Sequence, residues 1–189
     1  MKAGAKALPA DLVRWREPGG FRPGWYFLLR PRAGTWPAGA TLDLTVSCYP
    51  GKLRVKVGTA RDVAPPVAGA FEAPKRVTGK TRYGKDETHL FVPFGAVADA
   101  APLVCVRVRL VDPATRAAAE TEAGFRTAHA GAFTLPPEHP SCLAAGAVAD
   151  TAGNVATLPA AACAKGLPAD LLRPVATPCA APPYDDKMF

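Results

Sequence analysis

The stretch from Ala40 to Gly58, ATLDLTVSCYPGKLRVKVG, constrains the fold more than any other part of the chain. Leu42, Leu44, Val46 and Cys48 alternate with Thr41, Asp43, Thr45 and Ser47. After a break, Leu53, Val55 and Val57 alternate with Lys52, Arg54 and Lys56. A period of two buries one face of a strand and leaves the other wet. Between the two arms, Tyr49-Pro50-Gly51-Lys52 places proline where a type II turn needs φ preset and glycine where it needs positive φ. The stretch predicts a β-hairpin, and such a hairpin belongs in a sandwich or a barrel.

The same period recurs downstream. In Thr88–Phe94, Leu90, Val92 and Phe94 point inward, and Pro93, which cannot donate to a ladder, is expected at an edge or a strand end. Pro102–Val111 is the clearest strand after the hairpin. Val104, Val106, Val108 and Leu110 face the core, and Cys105, Arg107 and Arg109 face solvent. Asp112-Pro113-Ala114-Thr115 makes a turn, and Ala117–Ala128 returns as the partner strand with Ala119, Thr121, Ala123 and Phe125 on one face. A helix over Arg116–Glu122 is the competing reading; the short Asp-Pro connection and the segment Gly124–Thr127 favour the strand. Gly24–Arg30 is a continuous apolar run that suits a strand buried on both faces or one at an edge under a loop. Thr59–Asp86 reads as long and irregular, broken by Pro65, Pro66 and Pro74, with a strand through Ala70-Phe71-Glu72.

Composition settles the class. An apolar fraction of 49% is enough for a core, while 21 prolines and 17 glycines in 189 residues disfavour long helices. Isoleucine and glutamine are absent, with alanine and valine abundant, so alanine content is not a helix signal here. The expected fold is all-β: an antiparallel β-sandwich of immunoglobulin-like or jelly-roll type over residues 21–133. An N-terminal arm covers 1–20 and a Pro/Ala-rich extended tail covers 134–189. The Cys…Trp…Cys pattern of true immunoglobulin domains is absent. One-turn helices are expected at Pro9–Trp15, Pro159–Lys165 and Pro168–Arg173. Two of these carry an internal echo, Leu8-Pro9-Ala10-Asp11-Leu12-Val13-Arg14 and Leu167-Pro168-Ala169-Asp170-Leu171-Leu172-Arg173. It is either a docking element used twice, through Leu12, Val13, Leu171 and Leu172, or a coincidence in a chain rich in these residues.

Most catalytic chemistry is missing from the sequence. Gly79-Lys80-Thr81 has Pro74 where a phosphate-binding loop needs its first glycine. Cys48, Cys105, Cys142, Cys163 and Cys179 are too far apart for zinc-ribbon spacing, and a site built from His139, Cys142, Cys163 and Cys179 yields to the reading that these are small apolar residues. Ser47 lies in mid-strand rather than on a nucleophile elbow. Cys48 or Cys105 beside His89 reads as packing within a sheet. Asp86-Glu87, Glu120 with Glu122, and Asp185-Asp186 read as solvated surface. The chain is therefore expected to be non-enzymatic and to use no cofactor and no metal.

Charge is the remaining signal. The net charge is +7, which favours anionic partners. Lys52, Arg54 and Lys56 point outward from one strand, Arg107 and Arg109 from another. If both strands share a sheet, these five cations share its wet face. The Lys75–Lys85 segment, expected as a loop, adds Lys75, Arg76, Lys80, Arg82 and Lys85, with Tyr83 available for stacking. Two functions follow. The first is a structural or assembly subunit, as in a virion shell or other large complex, that ties neighbouring protein subunits together through its sandwich and arms. The second is a nucleic-acid-binding sandwich using the basic loop and face. The N-terminal residues hold no apolar run of signal-peptide length, and no segment is apolar enough to span a membrane. That sets the expectation of an intracellular or intravirion protein whose five cysteines stay as thiols.

Overall fold

A computed structural model of the chain describes residues 2–3, 6–16, 25–32, 35–45, 51–81, 83–158 and 167–179. Its regular structure is nearly all antiparallel β, and among the described residues no sheet closes into a barrel. The single helical element among the described residues is a 3-10 turn at Ala169–Leu171. Two compact units are present. One takes in described residues of Met1–Arg14 and Phe27–Asp62, the other those of Trp15–Tyr26 and Val63–Ala180.

The first unit is built on the expected hairpin. Strand β1 (Lys2–Ala3) pairs with β2 (Lys6–Ala7) and with β5 (Thr41–Thr45), and β5 pairs with β6 (Lys52–Lys56), so the order is β2-β1-β5-β6. The register sets Thr41 opposite Lys56, Leu42 opposite Val55 and Leu44 opposite Leu53. A four-residue turn over 49–52 would instead set Leu44 opposite Val57. The observed register is four residues away, an even shift that keeps every side chain on its expected face. Tyr49 and Pro50 of that turn lie outside the described residues, as do Val46 and Cys48. Two further strands, β3 (Ala10–Arg16) and β4 (Trp25–Pro31), form a ribbon. Its open end is held by Arg32 N donating to Pro9 O at 3.2 Å and by Arg32 Nε donating to Asp11 Oδ1 at 2.8 Å. The helical turn expected at Pro9–Trp15 is thus a strand.

The second unit has two larger sheets. One has the order β12-β11-β14-β15, from β11 (Leu103–Val111), β12 (Ala118–Arg126), β14 (Cys142–Asp150) and β15 (Val155–Leu158). The other is β13-β9-β8, from β8 (Lys75–Lys80), β9 (Asp86–Phe94) and β13 (Gly131–Leu135). A short pair, β7 (Val67–Ala68) with β10 (Val97–Ala98), and a bridge between Phe71 and Phe94 complete it. Both large sheets supply one apolar core. Leu90, Val92, Phe94, Phe133 and Leu135 enter it from one, and Val104, Val106, Val108, Leu110, Phe125, Leu143 and Val148 from the other. These are the residues the alternation assigned inward, with β13 and β14 added. Phe94 and Phe125 meet edge to face at 4.6 Å between centroids, as do Phe125 and Phe133 at 5.2 Å, a geometry that aromatic quadrupoles favour. Gly131 makes room for them: a Cβ there would stand 2.4 Å from Phe94 Cζ and 2.9 Å from Phe125 Cδ1.

The C-terminal third differs from expectation. The expected domain limit at residue 133 falls inside β13, and the supposed extended tail contains β14, the strand hydrogen-bonded between β11 and β15. Its run of Ala, Gly and Val gave no alternation because both of its faces are covered; eight of its nine residues are buried. The register of β11 against β14 slips between Arg109, opposite Ala145, and Leu110, opposite Leu143. Ala144 is the extra residue of this bulge, which turns it to the face opposite the main core. There it packs with Val111 and Leu171, next to the partly buried Leu167 and Cys142. At the far end of β14, the buried Asp150 accepts hydrogen bonds from Gly153 N, Asn154 N and Asn154 Nδ2 at 2.6, 2.9 and 2.7 Å. Its carboxylate closes the β14–β15 turn, where Gly153 takes φ of +95°.

Candidate interaction surfaces

The second face of the β12-β11-β14-β15 sheet was expected to be wet and basic. It is neither. Arg107 stands opposite Glu122 and Arg109 opposite Glu120, and each pair is joined. Arg107 Nε donates to Glu122 Oε2 at 2.9 Å, and Arg109 Nη1 to Glu120 Oε1 at 3.0 Å. The arginine side chains keep only 21% and 19% of their exposure. Residues 167–179 explain why, since they return to this face at several points. Cys179 is disulfide-bonded to Cys105 on β11, with the Cα atoms 6.0 Å apart. Cys179 N donates to Glu122 Oε2 at 2.9 Å. Arg116, in the β11–β12 turn, pairs with Asp170. Leu171 enters the Val111–Ala144 cluster. The segment is a strap bound by one covalent bond, charge-assisted hydrogen bonds and apolar contact.

The expectation of free thiols is corrected here. Cys105 and Cys179 are oxidised together, and Cys142 is disulfide-bonded as well. The sequence hid this pairing because the partners are 74 residues apart and share no motif. Bonded sulfurs offer no thiolate. The group Cys105, Glu122 and Cys179, whose donor atoms lie within 4.8 Å of one another, is thus a bridge with a carboxylate beside it rather than a metal centre. The same holds for the set His139, Cys142, Cys163 and Cys179, in which Cys163 lies outside the described residues, and for Cys105 with His89. His89 Nε2 instead sits 3.3 Å from Glu87 Oε1 on the exposed part of β9.

The other described candidate cations lie outside the sheet of Arg107 and Arg109. Lys52, Arg54 and Lys56 are on β6, in the four-stranded sheet of the first unit, so the condition of a single shared sheet fails. Arg54 Nε donates to Asp43 Oδ1 at 2.8 Å. That bond holds the Asp43 carboxyl below its ordinary range and raises the Arg54 guanidinium above its own. The expected basic loop is largely the edge strand β8, followed by a turn in which Thr81 Oγ1 accepts from the N–H groups of Tyr83 and Lys85. Pro65, Pro66 and Pro74 before it concealed the strand. Within it, Arg76 donates from Nε and Nη2 to Pro137 O, and Lys80 Nζ lies 3.5 Å from Asp86. Arg82 lies outside the described residues. Lys52, Lys56, Lys75 and Lys85 are exposed, and no ion pair holds them among the described residues. Carboxylates thus face four of the nine described candidate cations, Arg54, Lys80, Arg107 and Arg109, which weakens the field that a phosphate backbone needs.

The docking residues separate in the same way. The echo LPADLVR runs into β3 from Ala10 on, whereas LPADLLR contains the 3-10 turn. Val13 and Leu171 are buried within the chain, and Leu172 is exposed.

Strand β6 is the surface that alternation did not foresee. All five of its residues are exposed. Lys52, Arg54 and Lys56 occupy one face as expected. Leu53 and Val55, expected in the core, are 45% and 49% exposed. Across the same face Leu42 is buried and Leu44 half-buried, so apolar cover fades toward β6, which has no neighbour on its other side among the described residues. Comparison with known proteins returns nothing: no family model, no curated protein and no solved structure matches the chain.

Proposed function

We propose that this chain is a non-enzymatic β-sandwich protein that works as an assembly subunit, joining neighbouring protein chains through an open sheet edge. The observation that carries this reading is β6, whose Leu53 and Val55 leave apolar area in water at the rim of a sheet. Exposed strand edges with apolar side chains are templates for another chain. Two antiparallel sheets around one core support the sandwich. The disulfides support maturation in an oxidising environment, since cytosolic thiols are kept reduced. The nucleic-acid reading is the weaker one, because Arg54, Lys80, Arg107 and Arg109 already face carboxylates.

The native mass of the particle containing the chain tests the proposal. A complex well above the 19.7 kDa of one chain is expected. The double variant Leu53→Lys, Val55→Lys should keep the melting temperature within a few degrees and lose the complex, because both side chains are already half in water. A chain that migrates alone refutes assembly. Tight binding of oligothymidylate in a filter assay at physiological salt would favour the nucleic-acid reading instead.

A further inference from the structure

The backbone of β6 specifies what kind of chain it takes. Val57 N donates to Ala40 O at 2.8 Å, which fixes the phase of the β5–β6 ladder. Counting along the register, Leu42–Val55 and Leu44–Leu53 are hydrogen-bonded pairs, and Thr41–Lys56, Asp43–Arg54 and Thr45–Lys52 are not. The N–H and C=O groups of Lys52, Arg54 and Lys56 therefore point away from β5, and among the described residues no strand lies on that side. The three residues that offer backbone partners are the three that carry positive charge. Leu53 and Val55 show their apolar side chains on the opposite face.

This arrangement disfavours a second copy. A two-fold antiparallel pair of β6 strands would set Arg54 against Arg54 and Lys52 against Lys56. Like charges directly opposite each other on a sheet repel, and edge lysines are a common defence against such pairing. An acidic strand meets the opposite situation. We propose that β6 accepts an extended acidic segment of another protein as a fifth strand of the β2-β1-β5-β6 sheet. Its carboxylates would stand opposite Lys52 and Lys56 and beside the Arg54–Asp43 pair. Its alternate residues would be apolar and would cover Leu53 and Val55. The inference rests on the assembly reading and adds the partner's chemistry: alternating acidic and apolar residues in extended conformation, bound by main-chain hydrogen bonds.

Amide exchange of the whole protein, followed residue by residue, tests it. The probe is a seven-residue peptide of alternating glutamate and valine. The controls are the same peptide with lysine for glutamate, and oligothymidylate. At saturation the acidic peptide should slow exchange at the amides of Lys52, Arg54 and Lys56 by about tenfold or more, as partner hydrogen bonds protect them. Arg54→Pro removes an outward N–H and no bond to β5, so the fold should stand, and affinity should fall by about tenfold. The exposed double variant Lys52→Glu, Lys56→Glu gives an independent check: it should lose the glutamate peptide and gain the lysine one. The inference is overturned if the lysine peptide binds the wild type equally well, or if oligothymidylate protects the same amides. It also fails if both variants, still folded, keep full affinity. A chain found in a large native complex whose β6 amides ignore the acidic peptide sinks this inference alone, whereas a chain that migrates alone sinks the assembly reading.

Discussion

Replacing Cys105 and Cys179 together by alanine should be among the costlier changes this protein can undergo. The bridge spans 74 residues of sequence. A closed loop of about that length restricts the unfolded chain by roughly 4.5 kcal/mol at 25 °C in the chain-entropy model, and losses on removing native disulfides run at about 2–5 kcal/mol. A working expectation of about 3–4 kcal/mol is a large part of the roughly 5–15 kcal/mol that holds a domain folded. With a urea slope of about 2 kcal/mol/M, the midpoint should fall by nearly 2 M. Trp15, 1% exposed, supplies the fluorescence signal and far-UV circular dichroism the second probe. Leu171→Ala sharpens the test. In the bridged protein, emptying its place beside Val111 and Ala144 should cost about 2–3 kcal/mol. Without the bridge the strap should dock only part of the time, and the same substitution should cost under about 1 kcal/mol, a coupling that a double-mutant cycle measures. A midpoint shift below about 0.5 M would refute the bridge as a main support. Equal Leu171→Ala costs in the two backgrounds would show that the strap docks without it.

Two further outcomes follow from single sites. Gly131→Ala should destabilise by about 1–3 kcal/mol in a thermal melt, because its Cβ would push into the Phe94 and Phe125 rings; an unchanged melt would mean that the aromatic cluster repacks freely. Asp112 accepts hydrogen bonds from Thr115 N and Ala114 N, which hold its carboxyl below its ordinary range. A carboxylate lowered in this way stabilises the fold above its unfolded-chain value, and the contribution is lost as pH falls through the lowered one. Asp112→Asn should therefore flatten the acid limb of stability against pH and leave the alkaline limb alone; parallel acid limbs would contradict that role.

Strands whose environment is asymmetric were legible from residue order alone. In β9 and β11 one face meets the main core and the other carries polar residues, so Leu90, Val92, Phe94, Val104, Val106, Val108 and Leu110 declared their direction by alternation alone. The hairpin partner of β11 followed from the Asp112–Thr115 turn, because a short connection leaves antiparallel pairing as the economical geometry. Where both faces are covered the period vanishes, and where neither is it misleads. Strand β14 is covered on both and read as tail. Strand β6 is covered on neither and read as core-facing at Leu53 and Val55.

Long-range pairing was decided by tertiary structure. LPADLVR and LPADLLR share six of seven residues, yet the first enters a β-ribbon and the second forms a 3-10 turn on a strap. Local propensity in so short a segment amounts to tenths of a kcal/mol per residue, less than a partner strand or a buried Leu171 supplies. The same reason separates the expected basic face from the observed one. Outward orientation of Arg107 and Arg109 is a local property, legible as period two. Their neutralisation by Glu122 and Glu120, and the cover that Cys179 brings across 74 residues, depend on which distant segments the sheet draws together.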